Sequence, residues 1–341
     1  VSAARKRGAA TAEGRFERVA VLGLGLLGGS VALAARERGA AHTVVGSGRR
    51  REALEEAVRR GVIDATASVE RAVDAADLVI LATPVTAMAE QLRRAAPHLR
   101  PGTLVTDVGS VKGVLAETLP ALLPRGVPYV GSHPMAGSHL RGVEHAEADL
   151  FVGAPCVVTA NADTDPAAVE RIAAFWERLG ARVVRRDPLE HDAEVAWVSH
   201  VPHVLAFAFA RSLAAAPETA GSLGGTGFRD FTRIAQSDAE LWSDILVANA
   251  KSIAGPLRQV AEELRRFAAA LEAGDADGLE RTIAEARAVL ARTLAASHGA
   301  EDDSETRRGS ADAGDSARSG GANPEIQAAP EAATPKGKKN E

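Results

Sequence analysis

Three groups of residues in this chain have types and spacing that could do chemistry. The first is Gly23-Leu24-Gly25-Leu26-Leu27-Gly28, which follows the apolar run Val19–Leu22 and precedes the helix-forming stretch 29–35. Strand, glycine turn and helix in that order suit a dinucleotide: Gly23 makes the tight turn, Gly25 lets backbone approach a pyrophosphate, and Gly28 lets helix pack on strand. Leu26 and Leu27 then open a helix whose N-terminal N–H groups face the phosphates. The second group is Gly131-Ser132-His133-Pro134-Met135-Ala136-Gly137, a histidine between small residues that leave its ring room to face a ligand. Thr83-Pro84 and the segment Asp107-Val108-Gly109-Ser110-Val111-Lys112-Gly113 also follow predicted strands. All three end at the sheet edge where open α/β sheets bind ligands. Ser110 and His133 are thus expected to converge beside a nicotinamide. There a neutral imidazole would take a proton from a substrate hydroxyl as hydride leaves, with the serine orienting it.

The end of the second predicted strand bears on the choice of dinucleotide. NAD sites commonly carry a carboxylate there, but this chain reads Val44-Val45-Gly46-Ser47-Gly48-Arg49-Arg50-Arg51 before its first acid, Glu52. Arginines without an acid suit a 2′-phosphate, so the reading favours NADP over NAD, with Ser47, Arg49 and Arg50 as its contacts. The alternative is that these arginines open a solvated helix. The third group lies further on. Ser199-His200-Val201-Pro202-His203 places two histidines one turn apart beside a proline that bends a helix, and no third ligand of strong type stands near enough to favour zinc. Gly224-Gly225-Thr226-Gly227-Phe228-Arg229-Asp230-Phe231-Thr232-Arg233 places two arginines four apart behind a glycine-rich loop, a plausible clamp for an anion.

The elements that position these groups follow from composition and period. The 341 residues, 46% hydrophobic, suffice for two domains. Residues 1–15 read as a flexible arm. Between 16 and 186, short β-rich runs alternate with charged segments of helical period, which predicts a doubly wound, mostly parallel α/β sheet. The predicted strands are Val19–Leu22, Thr43–Val45, Leu78–Ala82, Thr103–Thr106, Val127–Val130 and Cys156–Thr159, six in one domain. From 187 to 297, Ala, Leu, Glu and Arg recur at three- and four-residue spacing, predicting an all-α domain whose Ala-rich faces pack on another helix layer or a second subunit. Residues 298–341 hold almost no large apolar side chain and read as a disordered tail. One cysteine, Cys156, excludes an intrachain disulfide and fits a reducing cytoplasm. A formal charge of −5 argues against a nucleic-acid surface, and no apolar run is expected to reach the roughly 20 residues of a membrane span.

In order along 16–242, the motifs at 23–28, 107–113, 131–137, 199–203 and 227–235 resemble the TyrA family of prephenate and arogenate dehydrogenases. The resemblance implies a Rossmann-type domain followed by an all-α dimerisation domain with the active site between them, hence a homodimer. It implies oxidative decarboxylation in tyrosine biosynthesis: hydride passes to NAD(P)+ and the ring carboxylate leaves as carbon dioxide. By match to the family's motifs, His133 polarises the substrate 4-hydroxyl, Ser110 supports it, and Arg233 binds a carboxylate. His203 and Trp242 line the substrate site, with Arg229 the next candidate anchor. Many members carry Glu two residues after the motif's last glycine; here that place is His139, a change that favours prephenate over arogenate. A related β-hydroxyacid dehydrogenase would carry a catalytic lysine in 195–207, and none is present. A non-enzymatic NADP sensor would be expected to have lost Ser110, His133 or Arg233.

Overall fold

The computed structural model describes residues 14–137 and 140–312. Five strands form a parallel sheet: β1 (Phe16–Leu22), β2 (Ala41–Ser47), β3 (Ala65–Thr66), β4 (Leu78–Leu81) and β5 (Leu104–Asp107), in the order β3-β2-β1-β4-β5. In its central strand the side-chain period of two divides the core. Val19 and Val21 face a cluster with the helix Leu26–Glu37 and with Phe175 and Trp176 of the helix Pro166–Arg178. Ala20 and Leu22 face a second cluster with Met88 and Leu92 of the helix Val85–Ala95. A strand buried on both faces has no polar side to show, which is why Val19–Leu22 of β1 reads as an unbroken apolar run.

The expectation of six strands in one doubly wound sheet is corrected. A second, three-stranded sheet holds β6 (Gly131–Pro134), β7 (Pro155–Thr159) and β8 (Arg182–Arg186); β6 runs antiparallel to β7, and β7 parallel to β8. The run Val127–Val130 is not itself a strand. It touches the first sheet by a single parallel bridge, Val105 to Tyr129, and the chain becomes regular only at Gly131. Prolines 124 and 128 flank this stretch, and a proline has no N–H to give a ladder. β3 and β8 escaped the sequence reading: β3 is two residues long, and β8 is Arg-Val-Val-Arg-Arg, whose charges hide its apolar centre.

Beyond β8 the chain is helical. Asp187 caps the next helix, Pro188–Val195, by accepting from Leu189 N at 2.8 Å. A π-helical turn, Ala196–His200, leads into Val201–Ser212, with Pro202 at its start, where the missing N–H costs no helical bond. The stretch Pro188–Ala215 is long enough to cross a membrane and holds an 18-residue window of mean hydropathy 1.2. It nevertheless buries His191, Asp192 and His200, each hydrogen-bonded within the fold. Helices Thr226–Arg233, Ala239–Ala248 and Ala250–Ala273 follow, and Ala196, Val201 and Ile253 centre a small helical core.

The chain divides into two compact units, 1–262 and 263–341. Residues 187–262 share a compact unit with the sheets. In the second unit the helix Ala276–Asp312 continues through 298–312, which composition had assigned to a disordered tail. An already nucleated helix adds residues at little cost, and Ala, Glu and Arg favour it. Residues 1–13 of the predicted arm and 313–341 of the predicted tail lie outside the described residues.

Candidate active site

The glycine turn is built as its spacing predicts. Gly23 has φ +112°, a conformation open to glycine, and its N–H donates to Ser47 O at 2.8 Å, tying the turn to the end of β2. A Cβ at Gly28 would collide with the carbonyl oxygen of Gly23, so the helix can lie on the strand only without a side chain there. Gly25 has no protein atom within 4 Å of where its Cβ would stand. It begins the helix Leu26–Glu37 with neither a side-chain cap nor an acid in the first turn, so the first N–H groups remain available to an anion.

A cavity of about 900 Å³ opens on this helix end. Of the residues predicted to hold a dinucleotide, Gly23, Gly25, Ser47, Arg49, Arg50, Thr83 and Pro84 line it. Leu26, Leu27 and Gly28 do not; Leu27 packs on the hydrophobic core and Gly28 is buried, so only their backbone can serve the phosphates. Ser68, Glu240 and Asp244 line it too, and Thr86 Oγ1 donates to Asp244 at 2.7 Å. Open space at Gly25, uncapped donors and two arginines beyond β2 fit a dinucleotide.

At the end of β5 lies a fully buried polar cluster. Asp107 is ion-paired with Lys112, and both are 0% exposed. Asp107 also accepts from Tyr129 Oη at 2.8 Å, Gly109 N at 2.8 Å and Ser132 N at 3.2 Å. Lys112 Nζ donates to Ser132 O at 2.8 Å, and Ser132 Oγ to Asp107 O at 2.5 Å. Burial pulls the Lys112 ammonium below its ordinary value, against the opposing pull of Asp107, and pushes the Tyr129 phenol up. The cluster staples the first residues of β6 to the end of β5, and so sets the place of the next residue, His133.

His133 is 9% exposed, and burial, then the charges of His191, Lys112 and His200, hold its imidazole well below the usual histidine range. It is therefore neutral at neutral pH and able to accept a proton. Among the described residues its hydrogen-bond partner is His191 rather than Ser110: His133 Nδ1 and His191 Nε2 are 2.8 Å apart. Ser110 stands half-buried in the same loop, between the anchored Gly109 and Lys112. His191 Nδ1 lies 2.9 Å from Asp192 Oδ1, and the Asp192 carboxylate accepts from Lys112 N at 2.7 Å and Gly113 N at 2.8 Å. Asn249 Nδ2 donates to Asp192 O at 2.8 Å and lies 3.1 Å from His200 Nδ1. Burial lowers His200 to about 4.

His191, Asp192, Asn249, Asp107 and Lys112 had no assigned role in the sequence reading. A His-Asp pair in the first turns of the first helix after the sheets was the available signal for two of them. Asn249, and Asp107 and Lys112 apart from their contact with each other and with Gly109, find their partners 20 or more residues away and carry no local pattern.

The remaining predicted residues form a more open group. The ring of His203 stacks on Trp242, with centroids 3.6 Å apart at 20°, and its Nδ1 bonds Ser199 O at 2.9 Å. Burial lowers His203, with the bond to Ser199 O opposing it and the charge of Arg233 adding a smaller lowering. Arg229 donates to its own loop, from Nη2 to Gly224 O at 3.1 Å. His139 lies outside the described residues. Trp242 also approaches His200 edge-on at 6.0 Å, so the buried and open groups meet at one tryptophan.

Comparison with known proteins gives a consistent picture. Residues 31–185 match the family described as prephenate dehydrogenase, nucleotide-binding domain, and residues 187–285 that described as prephenate dehydrogenase, dimerization domain. A prephenate dehydrogenase of Bacillus subtilis is 34% identical over 272 residues, 78% of this chain and 73% of its own. The crystal structure of prephenate dehydrogenase from A. aeolicus in complex with hydroxyphenyl propionate and NAD+ superposes with a TM-score of 0.74 at 30% identity, covering 80% of this chain and 96% of that one. A Synechocystis arogenate dehydrogenase structure gives 0.68 at 30% identity, over 79% and 96%.

Proposed function

Because the chain belongs to the prephenate dehydrogenase family, we propose that it is an NAD(P)-dependent dehydrogenase that converts prephenate to 4-hydroxyphenylpyruvate and carbon dioxide in tyrosine biosynthesis. The observation that carries this reading is His133, neutral and buried, fixed by the Asp107 cluster at the sheet edge. The glycine-turn cavity lies at the C-terminal ends of the same sheet's strands.

When bound, the nicotinamide accepts the hydride from the ring carbon that bears the 4-hydroxyl. His133 accepts the hydroxyl proton as that carbon gains carbonyl character, and Ser110 orients the hydroxyl. Arg233, whose charge reaches His203, anchors a substrate carboxylate. Loss of the ring carboxylate as carbon dioxide leaves an aromatic ring, which drives the step forward. Among the residues lining the cavity, Arg49 and Arg50, which follow Ser47 and Gly48, with no acid at the end of β2, favour NADP over NAD. The dinucleotide domain is 16–186 and the substrate domain 187–297, which pairs with a second copy as a homodimer in the cytoplasm.

Reduced-cofactor absorbance with prephenate or arogenate, each with NAD and with NADP, tests this in four assays. Turnover of prephenate with NADP is expected; turnover of arogenate alone would reassign the substrate, and silence in all four from folded protein would overturn the activity.

A further inference from the structure

The Asp192–His191–His133 chain carries more than proximity. A carboxylate accepts hydrogen bonds and donates none, and Asp192 already accepts from two backbone N–H groups. The 2.9 Å contact with His191 Nδ1 therefore requires the proton to lie on that nitrogen. An imidazole with one ring proton then has a lone pair at Nε2, and this is the atom 2.8 Å from His133 Nδ1. His133 must donate across that contact. With its one proton on Nδ1, it has a lone pair at Nε2.

We propose that His191 is a positioning residue that fixes His133 as the Nδ1–H tautomer, so that Nε2 is the atom that takes the substrate proton. This rests on the reading of His133 as the base. In the step, the hydroxyl O–H bond breaks and its proton bonds to His133 Nε2. The Nδ1 proton stays in its hydrogen bond to His191 Nε2, and the electron pair of the breaking C–H bond leaves with the hydride to the nicotinamide. No proton need travel past His133; His191 and Asp192 fix where the charge is held. Edge-on packing of the two rings, 5.1 Å between centroids at 72°, keeps them from turning. The anchors of Asp192 at 112, 113 and 249 hold the far end of the chain.

The test is long-range ¹H–¹⁵N correlation of ring nitrogens in the full chain labelled with ¹⁵N-histidine, at pH 8, with the His133 signals assigned by their loss in His133→Asn. An unprotonated Nε2 and protonated Nδ1 are expected. In His191→Leu, which offers no acceptor, the population should move toward Nε2–H, with kcat down roughly 10-fold or more and KM within about twofold. His191→Gln, whose amide oxygen accepts from Nδ1–H, should restore both the tautomer and most of kcat. A protonated Nε2 in the unaltered protein, or an unchanged tautomer and kcat in His191→Leu, would overturn the inference. If His191→Leu does not fold, the unaltered spectrum and the glutamine variant still decide it. Full turnover by His133→Asn would instead remove the base reading, while leaving the measured tautomer as it stands.

Discussion

The two halves of the site are built on opposite principles. Around Asp107 and His133 the polar side chains of Lys112, Tyr129, Ser132, His191 and Asp192 are buried and bonded to partners within the fold. Around His203 the groups are exposed or half-buried, held by ring stacking and by bonds to neighbouring loop carbonyls. In a low-dielectric interior each hydrogen bond is stronger and each loss costlier, so the first half can fix one proton-accepting geometry. The second half keeps long cationic side chains near water, where they can meet an anion and release the product. A reaction that needs both a fixed base and an exchangeable dianion calls for both kinds of ground.

The sharpest break between the halves is expected at Lys112. Lys112→Met would strand the Asp107 carboxylate in a dry cluster, and breaking a buried pair from one side costs about 3–5 kcal/mol. A clear fall in denaturant midpoint should follow, whereas Arg233→Ala should leave the midpoint where it was; equal losses would erase the distinction. Next in size, His133→Asn is expected to keep cofactor binding, measured by fluorescence titration, and to cut kcat by ~10²-fold or more. Near-normal turnover would remove His133 from the mechanism. Arg233→Ala should act chiefly on KM, raising it about 10-fold, the scale of one charge-assisted hydrogen bond. An unchanged KM would pass the anchor to Arg229, once released from Gly224.

The smallest effect is on stability against pH. His200 falls from its ordinary value near 6.5 to about 4 in the fold, because burial opposes its charged form. The unfolded chain therefore binds more protons between those values, so stability is full above about 6.5 and is lost as pH falls toward about 4. His133 and His203, also lowered, add to the same slope. Thermal melting of the unaltered protein should drop across that window, and His200→Gln should flatten part of the drop; parallel curves would detach His200 from it.

Much of this was legible in the chain. The glycine turn could be read because one strand, one turn and one helix start supply all its physics within a dozen residues, and Gly23, Gly25 and Gly28 each do what their spacing requires. Small residues around His133 mark an isolated imidazole in the chain, and the fold buries it against His191. Local pattern failed where meaning depended on a distant partner. β8 looks like a charged segment until β7 pairs with it, and the run Val127–Val130 looks like a strand until only Tyr129 finds a neighbour. Lys112 reads as a surface lysine, because nothing within five residues except Asp107 says that it will be sealed in with Tyr129 and Ser132.

By itself the sequence determined the strand–turn–helix units, the order of the motifs, the absence of an acid at the end of β2 and the helical character of residues 187–297. These are set by backbone propensity and side-chain period, which act over a few residues. Only the tertiary structure decided that the strands split into two sheets, that Asp107 and Lys112 staple β6 to β5, and that His133 faces His191 instead of Ser110. Those outcomes come from closing chain segments of 20 to 80 residues so that the buried polar groups of this cluster find partners. That requirement is met by the whole fold at once and leaves no periodic trace in the chain.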